Sequence, residues 1–473
     1  MADIVTKVAV CGAGAMGSGI AEIAAQRGAD VKVFDVSADA LAASEARIGK
    51  SLEKLVSKGK LSESDAADVR GRLQWVSDLA ELADRELVIE AVIENAEIKG
   101  KLFDQLEGIV AADAMIASNT SSIPIARLAS SLKHPERFCG MHFFNPATVM
   151  KLVEVISGPA TLPGNSEKVA ATATSWGKAA IPVADVPGFI VNRVARPFYG
   201  EAFTALTEQA AAPHEIDALF RAVDYRMGPL ELTDLIGQDV NFAVARSVYD
   251  SYFGQTRFVP QLKQAALVDA GWLGRKTGRG VYDYGENAAP LPEAGAGNAI
   301  QANDAHRAAA EALASAAPGE LIACGDILAG VTCGKTARTV ARDAGKPVAL
   351  FDWMVASESA LLGFAASEEG AAETALAIAA TMARPAVRIT DRPGLIVCRT
   401  LAQIANSAAD AVFEHVADEE GIDAAIRFGA NYPFGPFAWA DRFGRANVAN
   451  ALRAIAAETG QAMYLPSQYM GNW

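Results

Sequence analysis

The chain is poor in cysteine and histidine, with five of each in 473 residues, and aromatic residues make up only 7% of it. Cys11, Cys139, Cys324, Cys333 and Cys398 are odd in number, widely spread and free of any Cys-x-x-Cys pair or His-rich ligand spacing, so neither a disulfide framework nor a metal site is expected. No apolar stretch reaches the roughly 18 uninterrupted residues that span a bilayer. Between Asp3 and the first glycine loop there is neither the apolar core of a secretory signal nor a small-residue cleavage site, and a cytoplasmic protein is expected. Positive charge is also in deficit, with a net charge of −14. Such a surface repels phosphate backbones and anionic lipids, which argues against nucleic acid and membrane as partners. An anionic ligand therefore needs a local exception to that field.

What the chain does hold is apolar: 51% of it is hydrophobic, and at roughly 150 residues per domain the length allows about three compact units. Residues 7–35 read as strand, glycine turn, helix and strand, one βαβ unit. The stretch 37–70 reads as a helix with Leu41, Ile48, Leu52 and Leu55 near 3.6 spacing and charge between them. Apolar runs at 87–92, 115–117 and 138–143 have the length of buried parallel strands. The expectation is an α/β Rossmann-type doubly wound domain over 1–185, followed by all-α domains. Long helical patterns mark 186–285. Residues 286–318, rich in Ala, Gly, Pro and Asn, read as a linker with a helix near 308–316, and 319–390 as a reduced αβ segment. An internal repeat then organises the rest. Asp185-Val-Pro-Gly-Phe-Ile-Val-Asn-Arg193 is echoed by Asp391-Arg-Pro-Gly-Leu-Ile-Val-Cys-Arg399, and the echo continues at Ile216-Asp217 with Ile422-Asp423 and at Gly228-Pro229 with Gly435-Pro436. Residues 391–473 are thus expected to be a second, degenerate copy of the helical domain.

Three groups of residues carry chemistry. The loop Gly12-Ala13-Gly14-Ala15-Met16-Gly17 lies between strand and helix, where glycines permit a tight turn and let a diphosphate approach backbone amides. Asp35 ends the next strand, placed to accept from a ribose diol and to repel a 2′-phosphate, which favours NAD over NADP. His142, in Met141-His-Phe-Phe-Asn-Pro146, could by itself be a core histidine. Glu154, lodged in the aliphatic run Lys151-Leu-Val-Glu-Val-Ile156, changes that reading: a buried carboxylate needs a partner, and a His–Glu pair would make the free ring nitrogen a better base. Ser121, within Ser118-Asn-Thr-Ser-Ser122, and Asn192 are polar groups that could complete the site. The repeat has Cys398 where the first copy has Asn192, so the helix itself does not require Asn there.

These blocks, in this order and with Gly274-Arg-Lys-Thr-Gly-Arg-Gly-Val-Tyr282, resemble the 3-hydroxyacyl-CoA dehydrogenase family, which oxidises the 3-hydroxyl of an acyl-CoA to a ketone with NAD. The resemblance implies His142 as catalytic base, Glu154 as its partner acid, and Ser121 and Asn192 as substrate contacts. It implies cofactor contacts at residues 12–17, Asp35, Glu94, Lys99, Ser121, Asn145 and Lys276, with Asn145 also near substrate, and CoA contacts at Ser51 and Lys58. Ser51, Lys54, Lys58 and Lys60 share one charged helical stretch, which could supply the cationic exception that CoA phosphates need.

The full length is similar to long bacterial members of the family that act on 3-hydroxyadipyl-CoA in phenylacetate catabolism. The alternative within the family is 3-hydroxybutyryl-CoA or a general short to medium acyl chain. Arg226, where the repeat has Pro433, and Arg196 are the cations offered to a distal carboxylate. Dehydrogenases of free 3-hydroxy acids use a Lys base where this chain has Asn192-Arg193. A non-catalytic NAD-binding protein would not need His142 and Glu154. The second copy is expected to pack on the first as an internal pseudo-dimer within a monomer, with a homodimer as the alternative.

Overall fold

A computed structural model describes residues 4–295, 301–354 and 360–473, and the chain divides into two compact units. The first comprises residues up to Val191 together with 415–430; the second comprises 192–414 and 431–473. Among the described residues no helix is long and apolar enough to cross a membrane, and no group of three metal-ligating side chains occurs.

The first unit is built on eight strands: β1 (Lys7–Cys11), β2 (Asp30–Phe34), β3 (Leu73–Val76), β4 (Leu87–Glu90), β5 (Met115–Ser118), β6 (Phe138–Phe143), β7 (Leu152–Ser157) and β8 (Ala179–Ala184). They lie in the order β3-β2-β1-β4-β5-β6-β7-β8, parallel except for the antiparallel β6–β7 pair. Val8, Val10, Leu87, Ile89 and Ile116 are fully buried, as central parallel strands covered by helices on both faces require. The helix Ala38–Ser57 starts at Ser37, whose hydroxyl accepts from the Ala40 amide, and buries Ile48 and Leu52 on the sheet side. Beyond β8 the sheet is continued by main chain from far along the sequence: the Ala184 amide donates to the Val416 carbonyl, and the helix Glu419–Gly429 packs on β7 and β8.

The second unit holds a smaller sheet of β9 (Leu321–Cys324), β10 (Ile327–Val331), β11 (Val348–Phe351), β12 (Leu362–Ala366) and β13 (Ala386–Arg388), in the order β13-β12-β11-β10-β9. Its β10 to β13 repeat the pattern of β5 to β8: parallel, antiparallel, parallel. The agreement reaches single contacts. Asp185 accepts from the first amides of the helix Ile125–Ala129, and Asp391 accepts from the first amides of Ala337–Ala344. The duplication therefore begins at β10, well before Asp391, and includes half of the α/β domain. Sequence repetition reveals only the helical part, because the strand residues have kept hydrophobicity and lost identity. Within 286–318, Asp304–Leu313 is a helix, capped by Asn303 and burying Ala309, Ala310 and Leu313.

The helical parts of both copies meet inside the second unit. The helix Arg196–Thr207 packs along Val397–Phe413, and their ion pairs are reciprocal: Arg193 meets Glu414 at 2.8 Å, while Arg399 meets Glu208 at 3.5 Å and Glu201 at 3.0 Å. The Thr390 amide donates to the Ala210 carbonyl, mirroring the contact of Ala184 with Val416. In each copy the chain leaving the last strand thus meets main chain from the helical part of the other.

Candidate active site

The cofactor side begins where β1 ends. Gly12 has φ +109°, and a Cβ there would lie 2.6 Å from the Ala91 carbonyl oxygen; one on Gly17 would lie 1.8 Å from that of Gly12. These two glycines let the helix Ala15–Gln26 start tight against the strand, while a Cβ on Gly14 would meet nothing within 4 Å. No side chain caps this helix, so its first amides, around Ala15 and Met16, remain available to a phosphate. The cradle fits a dinucleotide. Asp35 is half-buried at the end of β2, its carboxylate accepting from the amides of Ala13 at 2.8 Å and Ser37 at 3.0 Å. Arg47, which the motif reading passes over, donates to the Ser18 hydroxyl at 2.8 Å and brings a cation to the loop. Its position one turn before Ser51 on the same helix was the available signal.

Next along the strand ends, Glu94 gathers the turn after β5. One of its oxygens accepts from the Thr120 hydroxyl (2.7 Å) and the amides of Ser121 (2.9 Å) and Ser122 (3.1 Å), and the other pairs with Lys99 at 3.0 Å. Burial alone would raise its pKa, but the Lys99 charge and these donors outweigh it and hold the carboxyl down at about 2. Lys99 is itself only 1% exposed, wedged between Glu94 and Glu90. It thus reaches a ligand only through Glu94. Glu90, absent from the sequence candidates, also accepts from Ser118 at 2.6 Å, and burial pushes its pKa up. Ser121 remains half-exposed, and Asn145 is exposed just beyond β6.

His142 and Glu154 are register partners on β6 and β7, with Nδ1 2.7 Å from a Glu154 oxygen and both side chains buried. The other Glu154 oxygen accepts from the amides of Ile190 (3.0 Å) and Val191 (3.1 Å). A carboxylate held this way fixes the Nδ1–H tautomer and leaves the Nε2 lone pair free. The rings of Phe144 and Phe189 flank the imidazole at 4.5 and 5.8 Å, and Asn119 accepts from the Phe143 amide, pinning the end of β6. The repeat lacks this pair. There Asp352, opposite Gly363, accepts the corresponding amides of Ile396, Val397 and Cys398 by itself.

The remaining candidates are dispersed. Asn192 is half-buried in the short helix Val191–Val194, with no side-chain partner among the described residues. Lys276 is paired with Asp239 at 2.5 Å. Ser51 donates to the buried Glu22 at 2.7 Å; Lys54 is exposed in the last turn of that helix, whereas Lys58 and Lys60, expected on the same helical stretch, are exposed in the turn beyond its end at Ser57.

A parallel sheet whose first turn admits a diphosphate, and whose later strands hold a dry, oriented imidazole, has the layout of a nicotinamide-dependent dehydrogenase. Comparison with known proteins makes this specific. Residues 7–186 match the model of the 3-hydroxyacyl-CoA dehydrogenase NAD binding domain, and 188–284 and 394–472 both match the model of the C-terminal domain. The chain belongs to the 3-hydroxyacyl-CoA dehydrogenase family and is an NAD-dependent oxidoreductase. It is 41% identical to the 3-hydroxyadipyl-CoA dehydrogenase of Escherichia coli K12 over 98% of this chain and 96% of that one. It is also 41% identical to a 3-hydroxybutyryl-CoA dehydrogenase of Bradyrhizobium diazoefficiens, over 62% of this chain and 99% of the relative. A crystal structure described as 3-hydroxybutyryl-CoA dehydrogenase from Escherichia coli K12 aligns with TM-score 0.91 at 40% identity, covering 99% of this chain and 98% of the other.

Proposed function

We propose that the protein oxidises (3S)-3-hydroxyadipyl-CoA to 3-oxoadipyl-CoA in phenylacetate breakdown, in the cytoplasm, with acyl-CoA rather than nucleic acid or membrane as its partner. The observation that carries the chemistry is the His142–Glu154 pair with its free Nε2. His142 accepts the proton of the 3-hydroxyl at Nε2, and Glu154 stabilises the imidazolium so formed. NAD, when bound, would supply the acceptor for the hydride leaving C3. Residues 12–17 and Asp35 hold its diphosphate and ribose; Glu94 orders the Ser121 turn beside it, with Lys99 behind, and Asn145 and Lys276 are the further contacts that the family resemblance assigns. Ser121 and Asn192 bind the substrate oxygen, and the Ser51 to Lys60 stretch meets CoA phosphates.

In this reading residues 1–185 form the cofactor domain and 186–285 the catalytic helical domain. Beyond the 286–318 connection, 319–390 and 391–473 carry no second catalytic centre, since Asp352 and Cys398 stand where the first copy has His142 and Asn192. The preference for the adipyl chain rests on full-length similarity to a relative named for that substrate. The names of other relatives favour 3-hydroxybutyryl-CoA. A panel of 3-hydroxyacyl-CoAs of four to eight carbons, with and without a terminal carboxylate, separates the two. The highest kcat/KM is expected for the adipyl thioester; a maximum at butyryl would replace this reading with the second.

A further inference from the structure

A guanidinium buried without an acceptor is costly, because taking a charge out of water is compensated only by a partner charge or hydrogen bonds. Arg196 is such a group. Its Nε and Nη1 are buried and have no hydrogen-bond partner among the described residues. Its guanidinium lies 4.9 Å from the Tyr199 ring centre, and among the described residues the groups within its electrostatic reach are the phenols of Tyr199 and Tyr432, not a carboxylate. The Tyr432 hydroxyl is likewise buried and without a partner among the described residues, and burial holds that phenol protonated, so it is a donor. Tyr432 is the counterpart of Tyr225 in the second copy, and the two rings pack at 5.0 Å, with Phe198 beside both.

Several unused donors thus converge on one buried spot in a protein that carries an excess of acid. What they lack is an anion with several acceptor lone pairs, and a carboxylate supplies that. The position along the chain fits. Arg196 follows Asn192 by four residues, and Ala195 between them keeps αR geometry, so the two share one face of the helical path about 6 Å apart along its axis. In a six-carbon chain the terminal carboxyl lies three C–C bonds from C3, roughly 4 Å when extended; hydrogen-bond lengths cover the remainder. The repeat has Ala402 and Cys398 at these positions and folds the same helix, so the arginine is not there for the fold. Arg226 is exposed on its turn and shares none of this environment.

We propose that Arg196, assisted by the Tyr432 hydroxyl from the second copy, is the receptor for the terminal carboxylate of a dicarboxylic acyl chain. This rests on the adipyl reading above and names the residues that enforce it.

The test measures kcat/KM for 3-hydroxyadipyl-CoA and 3-hydroxyhexanoyl-CoA, equal in length and different in terminal charge, on the full chain and on Arg196→Met and Tyr432→Phe. The unaltered protein is expected to favour the dicarboxylate. In Arg196→Met the adipyl-to-hexanoyl ratio should fall on the order of 100-fold, as loss of a buried charge pair does, and in Tyr432→Phe about tenfold. Arg196→Met should melt at the same or a higher temperature, since an unpaired buried charge has been removed. A preference that survives Arg196→Met would overturn the assignment while leaving the substrate reading intact. Equal losses on both substrates with a lowered melting temperature would make Arg196 structural. Absence of any preference in the unaltered protein would overturn the adipyl reading and this proposal together.

Discussion

His142 works through what surrounds it. Its ring is a buried imidazole with one nitrogen committed to Glu154, and the second Glu154 oxygen is in turn held by the amides of Ile190 and Val191. The carboxylate cannot rotate away, so the tautomer is fixed before substrate arrives. Replacing the ring with an amide removes the base and keeps a polar side chain of similar reach. His142→Gln is expected to lower kcat by roughly 100-fold or more. NADH affinity should be unchanged, because the glycine loop and Asp35 make no contact with His142. Turnover near that of the unaltered enzyme, followed at 340 nm with acetoacetyl-CoA, would remove His142 from the role. This pair was legible in the sequence because a glutamate in an aliphatic strand demands a partner. Glu90, in the equally aliphatic Leu87-Val-Ile-Glu90, carried the same signal; what the sequence hid was its partners Lys99 and Ser118, which neither spacing nor periodicity relates to it.

At the scale of elements, the turns after β4 and β5 are joined through Glu94. Its pKa of about 2 lies below the ordinary 4.5, so the folded state favours its ionised form. That contribution to stability is complete above about pH 4.5 and is lost as pH falls towards 2. The difference in melting temperature between the unaltered protein and Glu94→Gln should therefore be largest above pH 4.5 and shrink on acidification. A difference independent of pH between 2.5 and 6 would show that the Lys99 and Ser121 contacts do not set this charge. The sign is opposite to that of a buried, unpaired carboxyl, whose ionisation weakens the fold as pH rises. The elements themselves follow from pattern: apolar runs gave the central strands, and glycines at 12 and 17 gave the first turn. Lys99 was expected to face the cofactor, yet it is covered by Glu90 and Glu94, a placement that only the crossing of two turns decides.

At the scale of the whole molecule, we propose that duplication replaces assembly. The ion pairs Arg193–Glu414 and Arg399–Glu208, and the main-chain contacts Ala184–Val416 and Thr390–Ala210, are the two halves of one pattern, as in an isologous interface folded within one chain. Ending the chain after residue 285 removes the helix Val397–Phe413 from the face of Arg196–Thr207 and the helix Glu419–Gly429 from β7 and β8. The shortened protein is expected to self-associate or aggregate in light scattering, and a well-behaved, active monomer would contradict the pseudo-dimer. The full chain is expected to run as a monomer in the same measurement.

By itself the sequence determined the α/β domain, its cofactor turn, the His142–Glu154 candidates and the repeat beginning at Asp391, because these depend on local spacing and on residue types that cannot be exchanged. Only the tertiary structure decided that the repeat starts at β10, that the main chain of each copy's helical part meets the end of the other copy's sheet, and that Arg196 has no counter-ion among the described residues. Hydrophobic strands keep their fold while changing most of their residues, and a missing partner becomes visible only when all the neighbours of a side chain are in place.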